Sequence, residues 1–229
     1  MTTKILFGLG LSAGLLSSAA YAQDNITTGF DPVIENRVTA PVIGWSAGVS
    51  ATTQFNTSDD FDHIENEVEG FVELTYGGLH GGVSVNSLYQ NATDDAEYEA
   101  ELGYGADFGR GLSWDLSYAY TWLDDSDADS EEITATLGFP IGRDVTGAFA
   151  VIIDPDTGDS DQEVAFEAPL PERWTAVGLL GNSDRDDNVY AEAGVVYDFG
   201  DGVSLEALYE DTNDSDGVLG FTVSYEIGG

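Results

Sequence analysis

Apolar and polar residues alternate with a period of two along most of the chain after residue 42. The pattern is clearest between residues 97 and 122, on both sides of Gly109-Arg110-Gly111. One face before this turn carries Tyr98, Ala100, Leu102, Tyr104, Ala106 and Phe108, and the positions between them are mostly acids and glycines. Alternation over eleven residues cannot lie on one face of a helix. The segment is therefore predicted to be a β-hairpin with a three-residue glycine turn.

Ten further segments are also predicted to be strands, most of them from the same alternation, so twelve strands are predicted. Five connections are short, such as Gly200-Asp201-Gly202, and six are longer and acidic, such as Asp154 to Asp161. An even number of strands with short turns on one rim and long loops on the other is typical of outer-membrane barrels. We therefore predict an all-β fold, a transmembrane antiparallel up-and-down β-barrel of about twelve strands, over residues 42–229. Counts of ten or fourteen remain open, because the segments 149–153 and 174–180 are apolar on both faces.

The first 22 residues have the features of an export signal. Lys4 precedes an apolar stretch from Ile5 to Leu16, and Ala20-Tyr21-Ala22 matches a signal peptidase site. Twelve apolar residues are too few for a spanning helix, which needs roughly 20. We predict cleavage after Ala22, a periplasmic segment at 23–41 and a location in the bacterial outer membrane. No later stretch could form a membrane helix, so a membrane location requires a closed barrel.

Aromatic residues on the apolar face fall near the predicted strand ends. Towards the short turns these are Tyr76, Phe108, Trp114, Phe139, Trp174, Phe199 and Tyr225, and towards the long loops they are Phe55, Tyr89, Tyr98, Trp122 and Tyr209. Two such bands are expected at the two membrane interfaces. A soluble β-sandwich also alternates and also has core aromatics. The export signal, the loop asymmetry and the two bands favour the barrel.

The run from Tyr98 to Trp122 resembles the TorF family of porins from Gram-negative outer membranes. The resemblance rests on Glu101, Gly103, Tyr104, Phe108, Gly109, Asp115, Leu116, Tyr118 and Tyr120, and on the turn from Tyr76 to Gly82. It covers about residues 67 to 122 and implies a porin-like role.

The charge balance narrows the function further. The chain has 43 acidic and 6 basic side chains, for a net charge of −37. Nucleic acid is excluded as a partner, because phosphate binding needs a basic surface. The aromatic content of 11% argues against a disordered acidic tail. Since there is no cysteine, disulfides and thiolate chemistry are also excluded.

If the apolar face meets lipid, the other face lines an acidic lumen. The acids predicted to line the pore are Glu69, Glu73, Glu99, Glu101, Asp115, Glu163, Glu167, Glu192 and Glu206. The arginines fall in turns and loops, so these carboxylates need water or protons. We predict a narrow passive diffusion channel for small solutes that prefers cations, as acidic rings do in cation channels. A barrel blocked by an inward loop or by residues 23–41 is the alternative.

The remaining candidates for function are weaker. Asp154 and Asp156 belong to a dense acidic loop, but the spacing lacks a full calcium-binding pattern, so a solvated surface is expected. His63 is predicted in a long loop and His80 in a short turn with no acid beside it, so no enzyme site is expected. No metal or cofactor is predicted. The expected partners are membrane lipid, lipopolysaccharide and small solutes or cations, and the oligomeric state is open. A non-conducting structural or adhesive barrel that acts through its acidic loops is the second hypothesis.

Overall fold

The computed structural model describes residues 42–58, 61–88, 93–126, 128–185, 187–213 and 216–229. The predicted signal peptide at 1–22 and the segment at 23–41 lie outside the described residues, as does Tyr89. The described parts of the chain contain strands and turns and no helix. Within them, no helix is long and apolar enough to cross a membrane.

Twelve antiparallel strands form one closed barrel, which confirms the predicted fold class. Each strand pairs with its neighbours in chain order, and β12 returns to pair with β1. The strands are β1 Ile43–Asn56, β2 His63–Tyr76, β3 Leu79–Ser87, β4 Ala96–Gly109, β5 Leu112–Leu123, β6 Asp129–Pro140, β7 Thr146–Ile153, β8 Ser160–Pro169, β9 Trp174–Ser183, β10 Asn188–Gly200, β11 Val203–Thr212 and β12 Val218–Gly228.

The barrel closes without an open sheet edge. The β1–β12 ladder runs from Ser46 opposite Gly228 to Asn56 opposite Val218. Beyond it, Trp45 and Gly229 exchange two backbone hydrogen bonds of 2.9 and 3.0 Å. Closure leaves no edge strand with unpaired amides, which is the condition for a sheet to face lipid.

The strand register shows which face of β7 and which face of β9 points into the barrel, two points that the sequence left ambiguous. On β7, Phe149 and Ile153 project outward, while Ile152 projects inward and is only 1% exposed. On β9, Leu180 projects outward and Leu179 inward. A shift of one residue would exchange the two faces, so the pairing with β6, β8 and β10 decides what the apolar pattern could not.

Several strands extend further than the alternation predicted, and this corrects the placement of both histidines. His63 is the first residue of β2 rather than a loop residue, and its ring meets Phe55 edge-on with centroids 5.7 Å apart. A hydrogen bond of 2.8 Å from Asn56 N to Asp62 O continues the ladder into the connection. His80 lies in β3, because the turn before it consists of Gly77 and Gly78 alone.

Two of the short turns have the same left-handed backbone. Gly109, Arg110 and Gly111 have φ values of 80°, 59° and 76°, and Gly200, Asp201 and Gly202 have 86°, 55° and 80°. Glycine adopts positive φ at little cost, while a side chain there is strained. At Gly202 a Cβ atom would also overlap the backbone carbonyl of Glu226. The glycines therefore set the geometry of these hairpins.

Replacing Gly202 with alanine is expected to destabilise the barrel by about 1–3 kcal/mol, since it adds backbone strain and a clash with a backbone atom. Urea unfolding of the refolded protein in detergent micelles measures the change. Gly142→Ala is the matched control, because Gly142 also lies in a short turn but has no heavy atom within 4 Å of an added Cβ. Equal stability of the two variants would contradict the conclusion that Gly202 sets the geometry of its hairpin.

Candidate functional site: the barrel interior

The nine acids singled out in the sequence all lie on the interior side of the wall. They are half-buried or buried, while their sequence neighbours on the opposite face are exposed apolar residues such as Val68, Val72 and Leu102. They come from six strands around the barrel: Glu69 and Glu73 from β2, Glu99 and Glu101 from β4, Asp115 from β5, Glu163 and Glu167 from β8, Glu192 from β10 and Glu206 from β11. Half of the twelve strands in the wall therefore carry at least one of these acids.

Most interior acids have small or hydroxyl residues beside them across the ladder. Glu99 lies between Ser84 on β3 and Thr121 on β5, and Glu206 is opposite Thr222. Short neighbours leave space for water and keep like charges from facing each other directly, which would be destabilising. The register therefore lets the interior hold many carboxylates.

His80 is an interior base held between two of these acids, contrary to the expectation that it has no acid beside it. Its Nε2 atom lies 3.6 Å from Glu101 Oε1, and its Nδ1 atom lies 3.6 Å from Asp115 Oδ2. The three residues lie on the adjacent strands β3, β4 and β5. Their approach depends on the strand register, which the sequence does not reveal. When protonated, the imidazole can donate a hydrogen bond towards each carboxylate.

Two glycines on β4 make room for this cluster. A Cβ atom at Gly103 would overlap the His80 ring, and one at Gly105 would lie 2.5 Å from Asp115 Oδ2. Neither glycine has a positive φ, so backbone conformation does not require glycine at these positions. Glycine is needed because a larger side chain would overlap the cluster. Glycines at alternate positions on an otherwise acidic face are the signal in the sequence that could have indicated the site.

Arg185 forms the second neutralising contact, at the rim of the long loops. It follows β9, and its Nη2 atom lies 3.1 Å from Glu132 Oε1 on β6, so the side chain spans the ends of β7 and β8. Asp184 anchors the connection through its N–H, which donates to Ser160 O at 3.0 Å. Burial opposes the charge of Arg185, but the nearby carboxylates, Glu132 foremost, raise its pKa and keep it cationic.

The interior is asymmetric around the barrel. The wall formed by β7, β8 and β9 carries buried apolar side chains, whereas β2 and β4 carry rows of acids. These apolar residues are Ala150, Ile152, Ala165, Val177 and Leu179. The described residues contain no group of three or more acidic or histidine side chains arranged to hold a metal ion.

Comparison with solved structures shows the same fold in bacterial porins. The chain is similar to a KdgM porin, with a TM-score of 0.64 and 8% identity over 78% of this chain and 98% of the porin. It is similar to a KdgM porin in complex with disordered oligogalacturonate, with a TM-score of 0.63 and 9% identity over 79% and 98% of the two chains. For a NanC porin the TM-score is 0.56, with 9% identity over 77% and 98%. No family model matches the sequence, and no curated protein matches it.

Replacing His80 with alanine should lower the free energy of unfolding by about 1–2 kcal/mol at pH 5.5, because Glu101 and Asp115 lose their shared cationic partner. At pH 9 the imidazole carries less positive charge than at pH 5.5, so the loss should be smaller. Urea unfolding at the two pH values measures the difference. His63→Ala, at an exposed site, is the control and should lower the free energy of unfolding less than H80A does at pH 5.5. A loss at H80A that is equal at both pH values would contradict an electrostatic role.

Proposed function

We propose that the protein is a porin-like passive diffusion channel of the bacterial outer membrane that prefers small cations. The observation that carries this proposal is the interior face, where many acids meet few bases. In the described part of the chain, the basic side chains on or over that face are His80 and Arg185. The fold shared with KdgM and NanC porins supports a channel rather than an enzyme.

A membrane location follows from the outer surface of the barrel. Large apolar side chains cover the whole outer wall, and several are more than half exposed, including Leu102 at 65% and Phe108 at 69%. A continuous apolar surface of this kind is costly in water and is favourable against lipid tails. Membrane lipid and lipopolysaccharide are the surroundings that suit this surface, with the acidic loops facing outward from the cell.

The uncompensated carboxylates support the proposed preference for cations. An ionised carboxylate on a narrow interior wall needs water, a cation or a proton. A water-filled lumen lined with negative charge concentrates cations and repels anions. The interior acids therefore support an open, cation-selective path.

The charge of the interior also limits which solutes can be inferred for this chain from the similar porins. One of them was solved in complex with an oligogalacturonate, which is a chain of carboxylated sugars. An interior that is itself rich in carboxylates repels a polyanion. We therefore propose small cationic or neutral solutes for this chain, although the fold is shared.

Neutralising interior acids should reduce cation selectivity. In planar bilayers under a KCl gradient, the refolded protein is expected to show discrete conductance steps. The sign of the reversal potential should indicate selectivity for K⁺ over Cl⁻. Glu69→Gln with Glu99→Gln should move the reversal potential towards zero, because two charges leave the interior wall.

The control is Asp156→Asn with Asp216→Asn, which removes the same charge from exposed loop positions. It should change the reversal potential less than the interior variant does. An anion-selective channel would contradict the proposal. A folded protein without conductance would also contradict it and would favour a blocked barrel that acts through its loops.

Arg185 is expected to limit cation flow at the long-loop rim. Arg185→Gln removes a positive charge and the side chain that spans β7 and β8, so single-channel conductance and cation selectivity should both rise. Arg143→Gln, at an exposed turn on the other rim, is the charge-matched control and should have little effect. Equal conductance of R185Q and the unmodified protein would show that Arg185 lies outside the ion path.

A further inference from the structure

The charged side chains of the interior differ in their access to the lumen. The side chains of His80, Glu101 and Asp115, on β3 to β5, are 20%, 38% and 25% exposed. On another part of the wall, Glu163 on β8 and Glu192 on β10 are buried, as are the inward apolar residues of β7 to β9. A hydrated ion that crosses the barrel can therefore meet the charges of β3 to β5, whereas those two acids are closed to it.

The His80 ring is held over β4 because Gly103 has no side chain. The two residues pair directly across β3 and β4, and a Cβ atom at Gly103 would overlap the imidazole. Since the ring lies over this glycine, Nε2 comes within 3.6 Å of Glu101 on β4 and Nδ1 within 3.6 Å of Asp115 on β5. The glycine thus places a base among acids that face the lumen.

Each charged group that the described residues bring against His80 is an acid. Glu101 and Asp115 contact it from β4 and β5, and Glu73 on β2 is within electrostatic range. The residues directly opposite His80 on the two neighbouring strands are uncharged. When these three acids are ionised, protonation of the imidazole offsets one of their charges, and loss of the proton restores it.

Histidine is the side chain whose charge ordinarily changes between about pH 5 and pH 8. The chain has two histidines, and the other one, His63, is exposed at the start of β2 with its ring against Phe55. The imidazole among the exposed interior acids is therefore that of His80.

We propose that His80 sets the cation selectivity of the pore and makes this selectivity depend on pH. As an imidazolium, His80 offsets acidic charge beside the ion path, so the wall attracts cations less strongly. As a neutral imidazole, it leaves the charge of Glu73, Glu101 and Asp115 in full. Cation selectivity should therefore rise with pH. This inference rests on the proposed function and names the residue that regulates it.

Reversal potentials in planar bilayers under a KCl gradient, measured from about pH 5.5 to about pH 9, test this inference. The ratio of K⁺ to Cl⁻ permeability of the unmodified protein should rise about two- to five-fold over the series, since one unit charge changes within a few ångströms of the path. The interior carboxylates also lose protons as the pH rises. Each variant is therefore compared with the unmodified protein at the same pH.

Two substitutions fix the charge at position 80 in opposite states. His80→Gln is neutral, so at about pH 5.5 its permeability ratio should exceed that of the unmodified protein about two-fold or more, and at about pH 9 the two should agree. His80→Arg is permanently cationic, so its ratio at about pH 9 should be lower than that of the unmodified protein by a similar factor. His63→Gln is the matched control and should keep the unmodified response.

A chemical test does not depend on how variants at position 80 fold. In the H63Q variant His80 is the remaining histidine, and the mature chain predicted from residue 23 has no lysine. Diethyl pyrocarbonate transfers an ethoxycarbonyl group to a ring nitrogen of the folded channel and removes the charge of the imidazole. The treated channel should lose the pH response ascribed to His80, and hydroxylamine, which removes the group, should restore it. An unchanged response after complete reaction, or no reaction at His80, would overturn the proposal.

The outcomes separate this inference from the proposed function. A cation-selective channel whose H80Q and H80R variants keep the permeability ratio of the unmodified protein at both pH values would refute the role of His80 and leave the pore intact. A loss of the pH response in H63Q alone would also refute it, because the response would then come from the outer surface. A folded protein that does not conduct at any pH would refute both proposals.

Discussion

The backbone ladder that joins β1 to β12 is the constraint on which the rest of the structure depends. Once Ser46 pairs with Gly228 and the sheet closes, every strand has a neighbour on both sides. Closure fixes which face of each strand is inside, since successive side chains alternate across the wall. The apolar outer surface and the acidic interior are both consequences of that single geometric condition.

Closure also decides how the interior charge is distributed. Small and hydroxyl residues stand beside most acids, so water can reach them, and two bases compensate the interior at opposite rims. His80 lies near the short turns and Arg185 near the long loops. Between these two contacts, the wall at Glu163 and Glu192 stays without a protein cation in the described residues. The interior is therefore neither uniformly acidic nor uniformly solvated.

The alternation of the sequence predicted the strand number and the faces of most strands, because a half-buried wall imposes period two directly on the residues. It failed where both faces are apolar. Ile152 and Leu179 are interior residues, and only the neighbouring strands could show it. The sequence also placed His63 in a loop and His80 in a turn, because hydrogen bonds extend strands beyond the alternating segment.

The sequence by itself determined the fold class, the acidity of one face and the glycine turns, since each depends on residue type and on spacing along the chain. The tertiary structure alone decided which distant residues meet. Asp115 and Glu101 reach His80, Glu132 reaches Arg185, and Glu192 faces Glu210 through the register between strands. A register shift of two residues would keep every side chain on its face and yet break all of these contacts. The pattern of faces can therefore be read from the sequence, while the pairing of charges cannot.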